Sequence, residues 1–275
     1  MSSNLTPSAS KRFEECRLPS EAWAKEGCFT YAKCRGIMAS KKKKPVAKKK
    51  KSAATPARFY RSIGDKGWNN SNYFTYSSSS PAFRAWLLEE LGDKPRDILS
   101  IGCGNGELET YLIGEGHRLT GLDPAHPMLK RAARHGLKRG VGGDARALPF
   151  APGCFDIVIF PESIGHVPLP EVFAESRRVL KKRGALIVTT YASHVGVHSH
   201  YRKYRFAEME AAAEDAGLTV SAQRYLAAKR NSIDDAPSDA KATLLYFRAT
   251  IANGKAQPAK TAKAKTAKSK TGRRG

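Results

Sequence analysis

The chain alternates short apolar runs with amphipathic stretches, and most of the runs close on a glycine or a polar turn. ILSI (98–101), FDIVIF (155–160) and ALIVTTY (185–191) are rich in apolar residues, and RLTGLD (118–123) reads as a further strand between the first two. Runs of that length read as strands buried on both faces, which is the habit of a parallel sheet. Between them the apolar positions recur at helical spacing. Pro81–Leu91 sets Phe83, Trp86, Leu87 and Leu91 on one face, with proline at its start and Gly92 at its end. Pro170–Leu180 gathers Val172, Phe173, Ser176, Val179 and Leu180, and Gly184 is expected in the turn before 185–191. Arg205–Ala216 is a further amphipathic helix closed by Gly217, after which LTVSAQRYL and ATLLYFRA read as strands. Strands alternating with helices specify an α/β domain.

The first strand runs into Gly102, Gly104 and Gly106 and then into a helix, and 21 residues past Gly102 the second strand ends on Asp123. Glycines at such a turn allow positive φ and remove Cβ atoms where backbone must approach a ligand. A helix N-terminus and a carboxylate closing the neighbouring strand then outline a pocket for a nucleoside. The G-x-G-x-G spacing alone is a weak signal, because dinucleotide sites usually show G-x-G-x-x-G. Asp123 has two compatible roles. It can accept both hydroxyls of a ribose, or cap the next helix with Pro124 at the first helical position. Asp144 and Ala145, in GGDARALPF, would stand one unit further along, at the mouth of the third strand. A carboxylate there suits an exocyclic adenine amine, and a surface-loop Asp is the alternative.

Five ordered segments carry a family resemblance: ILSIGCGNG, LTGLDPAHPMLKRA, GDARALPF, FDIVIFPESIGHV and EVFAESRRVLKKRGALIVTTY. Together they resemble class I S-adenosylmethionine-dependent methyltransferases, nearest to the group holding ubiquinone and menaquinone C-methyltransferases and many small-molecule methylases. The likeness runs from Ile98 to roughly Phe247. It implies a Rossmann-like sheet of seven strands, mostly parallel, with helices on both faces and the last strand inserted antiparallel. It implies S-adenosyl-L-methionine as cofactor, with Gly102, Gly104 and Gly106 bordering the methionine part, Asp123 holding the ribose, and Asp144 and Ala145 at the adenine. Ser100, Cys103, Pro124 and Phe160 complete the expected cofactor-binding set, Cys103 being read mainly as a small residue within the turn. One departure stands out. Family members usually carry Asp or Glu where this chain has Ser100, a group that orients the cofactor's amino group. Ser100 can still accept a hydrogen bond but carries no charge, which implies weaker cofactor binding unless Glu107 or another group compensates.

The acceptor site is implied by the same likeness. The family positions its acceptor after strand four, here FPESIGHVP, so Glu162 and His166 are the expected catalytic residues. His166 is the candidate base, since an imidazole with an unperturbed pKa near ~6.5 removes protons at neutral pH. A histidine that only packs before Pro168 is the alternative. The aromatics Tyr60, Trp68, Tyr73, Phe74 and Tyr76 would wall an apolar pocket from the segment preceding the first strand, or pack on the sheet edge. His194, His198 and His200 have a metal-like spacing but no carboxylate or cysteine to complete a site, so a covering loop and no metal is expected. Arg202 or Lys203 in that loop would contact an acidic acceptor or simply be solvated.

Charge divides the chain into a body and two tails. Of the formal net charge of +23, +10 belongs to residues 1–57 and +8 to residues 255–275, leaving the middle only mildly basic. Residues 40–57 and 255–275 mix Lys, Ala, Pro, Thr and Ser with few large apolar residues, a composition that cannot offset chain entropy and predicts disorder, while the first 37 residues show no clear periodicity. The expected domains are therefore a Lys-rich extension (1–57), a methyltransferase domain (58–252, with a lid and helix at 58–96 and the cofactor-binding core at 97–252), and a Lys/Ala-rich tail (253–275). Such tails bind nucleic acid or another polyanion without sequence preference, an anionic membrane surface or solubility being competing readings. MASKKKKP from Met38 looks like a natural start. The five cysteines (Cys16, Cys28, Cys34, Cys103, Cys154) form no C-x-x-C pair and suit a reduced cytosolic compartment. No apolar stretch is long enough for a signal peptide or a membrane span. The expected activity is methyl transfer to an O, N or C atom of a small-molecule acceptor. A tRNA or rRNA methylase delivered by the tails is the second reading, and a noncatalytic nucleic-acid-associated protein of the same fold the third.

Overall fold

The computed structural model describes residues 80–197, 199–229 and 232–251. The 58–79 aromatics, both basic tails, Met38, His198 and the three N-terminal cysteines lie outside these. The elements are α1 (Pro81–Leu91), β1 (Asp97–Ile101), α2 (Glu107–Gly114), β2 (Arg118–Asp123), α3 (His126–His135), β3 (Gly140–Gly142), β4 (Phe155–Pro161), α4 (Leu169–Val179), β5 (Leu180–Tyr191), α5 (Phe206–Asp215), β6 (Leu218–Ala228), β7 (Ile233–Asp235) and β8 (Leu244–Ile251), with a 3-10 turn at Ile164–His166. The strands form one sheet in the order β3-β2-β1-β4-β5-β8-β6-β7. β3, β2, β1, β4 and β5 pair in parallel, and β8 lies antiparallel between β5 and β6. The order reverses between β1 and β4, which opens a crevice at the carboxyl ends of those strands.

Alternation along the strands divides the core between the two faces. Leu99, Ile101, Val158, Phe160, Leu186 and Val188 join Val172, Phe173 and Val179 of α4 and Met209 of α5. Ile98, Ile157, Ile159 and Ile187 join Phe83, Leu87 and Leu91 of α1, Leu108 and Leu112 of α2, and Leu129 of α3. Each such side chain contributes roughly 1.5–3 kcal/mol on burial, against about 0–1 kcal/mol for an exposed ion pair. Core packing therefore sets the fold. α1 starts as its sequence indicates, with the Ser80 hydroxyl accepting from the Phe83 N–H at 3.2 Å, and ends at Gly92.

Three local differences from the sequence reading have physical causes. An eighth strand, β7, pairs antiparallel with Leu226–Ala228. It spans only three residues, none of them buried, so no apolar alternation marks it. Gly184 lies inside β5, not in a turn ahead of it. Pairing runs from Phe155↔Leu180 to Ile157↔Ala185, so the extra residues of β5 form a bulge. A Cβ on Gly184 would come within 2.9–3.1 Å of Leu180, Lys181 and Asp156, which is why glycine stands there. The same bulge swings Lys181 Nζ to 2.6 Å from Asp97 and 2.9 Å from Asp156, at the strand ends remote from the crevice. Lastly, α3 begins at His126 with Ala125 as its cap and Pro127 in the first turn, so Pro124 precedes the helix.

Candidate active site

At the crevice the chain leaves β1 through Gly102, Gly104 and Gly106, all at positive φ of 54° to 79°. Two of these glycines are dictated by neighbours. A Cβ on Gly102 would fall 2.3 Å from the Cβ of Ser163, and one on Gly106 would fall 2.8 Å from that of Ala132. Beside Gly104 a Cβ would meet only Met128 Cε, at 3.5 Å, so the turn leaves room on that side. Cys103 is a free, buried thiol packed against Gly121. Burial, with Glu109 and Asp123 near it, pushes the thiol well above its usual pKa, so Cys103 fills space and does not act as a nucleophile.

Asp123 ends β2 beside this turn. One carboxylate oxygen accepts the Gly104 N–H at 3.0 Å, the other the Ala125 N–H at 2.7 Å. It thus pins the glycine turn and the entry to α3 together, and each oxygen keeps lone-pair capacity for a further donor. Burial raises its pKa to about 6 against those two bonds. Pro124 is exposed next to it. A buried two-oxygen acceptor beside a turn with space for a ligand fits an adenosine-bearing cofactor.

The remaining expected contacts divide. Ser100 is buried, and its hydroxyl donates to Glu109 Oε1 at 2.5 Å. Glu107, the first candidate to compensate for that serine, is instead held by Arg84 at 2.8 Å and by Asn105 at 2.9 Å. Ala145 is buried, whereas Asp144 is exposed just past β3 and accepts from the Arg146 side chain and main chain, which lowers its pKa. Phe160, the other expected contact, is fully buried in the core with Val158, Val188 and Phe247. Alternation along β4 turns its ring into the layer under α4.

The segment after β4 rests on the glycine turn itself. Ser163 packs on Gly102, and its hydroxyl donates to the Ile101 carbonyl. Glu162 adopts φ +52°, a left-handed conformation that non-glycine residues rarely hold and that costs of order 1–3 kcal/mol. Thr189 of β5 holds it there, accepting the Glu162 N–H at its carbonyl 3.1 Å away. The His166 ring meets the edge of Tyr201 at 5.0 Å, Tyr201 meets Tyr191 at 5.4 Å, and the Tyr201 hydroxyl shares a 2.8 Å bond with Thr190. Glu162 and His166 therefore sit on one turn but face different partners, β5 and the loop after it. That loop docks closely: the Arg202 N–H donates to the Gly165 carbonyl at 2.9 Å, and a Cβ on Gly165 would clash at 2.5 Å with Tyr201. Sequence reading passed over Tyr201 because a buried tyrosine among His, Arg and Lys carries no periodic signal. Arg202 is committed to Glu208 at 2.6 Å and lies over the Tyr204 ring. Among the described residues no cluster of His, Cys, Asp or Glu could hold a metal ion, and no helix is long and apolar enough to cross a membrane.

A parallel sheet whose order reverses at a glycine turn, with a carboxylate closing the adjacent strand, defines a nucleoside-binding α/β domain of the methyltransferase class. Residues 99–188 match the methyltransferase domain family, and that match, with the relatives and the fold, supports a class I S-adenosylmethionine-dependent methyltransferase. It is similar to the ubiquinone biosynthesis O-methyltransferase of Bordetella parapertussis, 28% identical over 193 residues that span 60% of this chain and 80% of that one. The enzyme of the same name from Pseudomonas aeruginosa is 27% identical over 188 residues, 58% of this chain and 81% of its own. Among solved structures, the fold resembles 1,6-didemethyltoxoflavin-N1-methyltransferase of Burkholderia thailandensis at a TM-score of 0.55 and 21% identity, covering 76% of this chain and 92% of that one. It also resembles geranyl diphosphate C-methyltransferase of Streptomyces coelicolor, at 0.51 and 18%, covering 62% and 75%.

Proposed function

We propose that the protein methylates a small molecule of aromatic or apolar character, with the acceptor lodged between the His166 turn and the Tyr191–Tyr201 pair. The observation that carries this reading is the seating of Ser163 on Gly102, which fastens the His166 turn directly to the glycine turn. Asp123 would hold the ribose, the space beside Gly104 the methionine part, and Asp144 with Ala145 the adenine edge. The cofactor supplies a methyl group activated by a sulfonium. This chain's own residues then align the acceptor, exclude water with the tyrosine edges, and accept a proton at a His166 ring nitrogen where the acceptor carries one. By their names, the relatives above are an O-methyltransferase of ubiquinone biosynthesis, an N1-methyltransferase of 1,6-didemethyltoxoflavin and a C-methyltransferase of geranyl diphosphate. A flat aromatic acceptor is the class common to the first two, and it suits stacking against tyrosine edges.

His166→Gln tests the proton role. With a phenolic acceptor, kcat should fall by about 10²–10⁴-fold, as loss of a general base does. S-adenosylhomocysteine binding should stay unchanged and the rising limb of the pH–rate profile should disappear. An unaltered kcat would leave His166 a packing residue.

The basic ends, outside the described residues, are proposed on charge alone to contact polyanions. Deleting 1–57 and 253–275 decides whether they serve catalysis. Turnover of a small acceptor should persist in the truncated chain, with lost salt-sensitive retention on nucleic acid. Loss of most turnover at moderate salt would favour an RNA acceptor instead.

A further inference from the structure

Position 100 carries no acid, but its hydroxyl is bonded to one, Glu109. We propose that Glu109, in the first turn of α2 and hydrogen-bonded to the Ser100 hydroxyl, is the anionic receptor for the ammonium of the cofactor's amino-acid end; this rests on the cofactor reading above. Glu109 is 1% exposed, yet among the described residues it makes no ion pair. Arg84 of α1, the nearest cation acting on it, is committed to Glu107. The other groups facing it are Asp123 of β2, a second carboxyl, and the neutral Cys103 thiol of the turn.

A buried carboxylate whose donors, the Ser100 hydroxyl and its own backbone N–H, are both neutral, and which has a like-charged neighbour, is costly to keep ionised. Burial accordingly raises Glu109 to about 7. A structural pair would have been cheaper as two apolar residues, so the arrangement makes sense as half of a bond whose other half is a cation. The place is right as well: the carboxyl hangs at the carboxyl end of β1, behind the turn that Asp123 pins. The N-terminus of α2 adds partial positive charge that favours the anion once a ligand arrives.

Two ligands separate this assignment from the reading beneath it. S-adenosylhomocysteine carries the ammonium, whereas 5′-methylthioadenosine keeps the adenosine and sulfur and lacks it. By calorimetry at pH 8 with the full chain, Glu109→Gln should weaken S-adenosylhomocysteine by about 10–100-fold and leave 5′-methylthioadenosine within twofold. Ser100→Ala should give a smaller loss, for the same ligand only. In the wild type, affinity for S-adenosylhomocysteine should rise from pH 6 to 8 more than that for 5′-methylthioadenosine, whose pH response reports Asp123 alone. Ligand-free Glu109→Gln should melt at a higher temperature than wild type at pH 8, because a buried charge is gone. Equal losses for both ligands, or none for either, would overturn the assignment. A wild-type chain that binds neither would overturn the cofactor reading and this with it.

Discussion

Asp123→Ala should raise the dissociation constant for S-adenosylhomocysteine by about 10²–10⁴-fold, since two charge-assisted hydrogen bonds at roughly 1.5–3 kcal/mol each are lost. Methyl transfer should become undetectable at ordinary cofactor concentration. The loss has two sources. The carboxylate no longer accepts from the ligand, and the Gly104 and Ala125 N–H groups lose the oxygens that hold the turn in shape. The same residue predicts a pH dependence. Burial places Asp123 at about 6, above the usual carboxylate value, so a proton is taken up by the ligand-free fold as pH falls through that point. This raised value favours the folded chain at low pH and is lost as pH rises past about 6. Ligand binding runs the other way, because a protonated carboxyl cannot accept at both oxygens. Affinity for 5′-methylthioadenosine should therefore fall between pH 7 and 5 in the wild type, and stay flat in Asp123→Ala. Unchanged affinity in the variant would remove Asp123 from the site.

Gly102→Ala should be the most destabilising single-methyl change in the turn. Its φ of +74° disfavours any L side chain, and the new methyl would lie 2.3 Å from Ser163 Cβ, which the Ile101 bond holds in place. Left-handed strain of about 1–3 kcal/mol and overpacking of about 1–3 kcal/mol together lower the melting temperature by about 5–20 °C in a domain of this size. Gly104→Ala offers the contrast. Its methyl has ordinary room, so the melting temperature should fall less, while the ligand loses the space beside the turn. Thermal melts of both variants, with and without S-adenosylhomocysteine, check this. A Gly102→Ala chain as stable as wild type would show that the His166 turn is not fastened to the glycine turn.

Much of the architecture was legible because continuous apolar runs and 3.6-residue periodicity are local signals. RLTGLD reads as a strand and is one, from Arg118 to Asp123, and the helix at Pro81–Leu91 keeps both its ends. The three glycines and Asp123 could be singled out because close approach and chain reversal limit which residues are tolerated. What escaped was set by contacts between distant segments. β7 has no apolar stripe, and the bulge in β5 depends on Leu180, Lys181 and Asp156 crowding Gly184. The complete burial of Phe160 likewise comes from its neighbours across the sheet.

The amino-acid sequence by itself determined the α/β class, the strand–glycine–helix turn, the carboxylate at Asp123 and the family, since each is written in short-range pattern and spacing. Only the tertiary structure decided what the acids and rings around the turn do. It joined Ser100 to Glu109, tied Glu107 to Arg84, and set Tyr201 against His166. Burial and the partner across the gap determine a side chain's charge and reach, and neither exists until the strands and helices have packed.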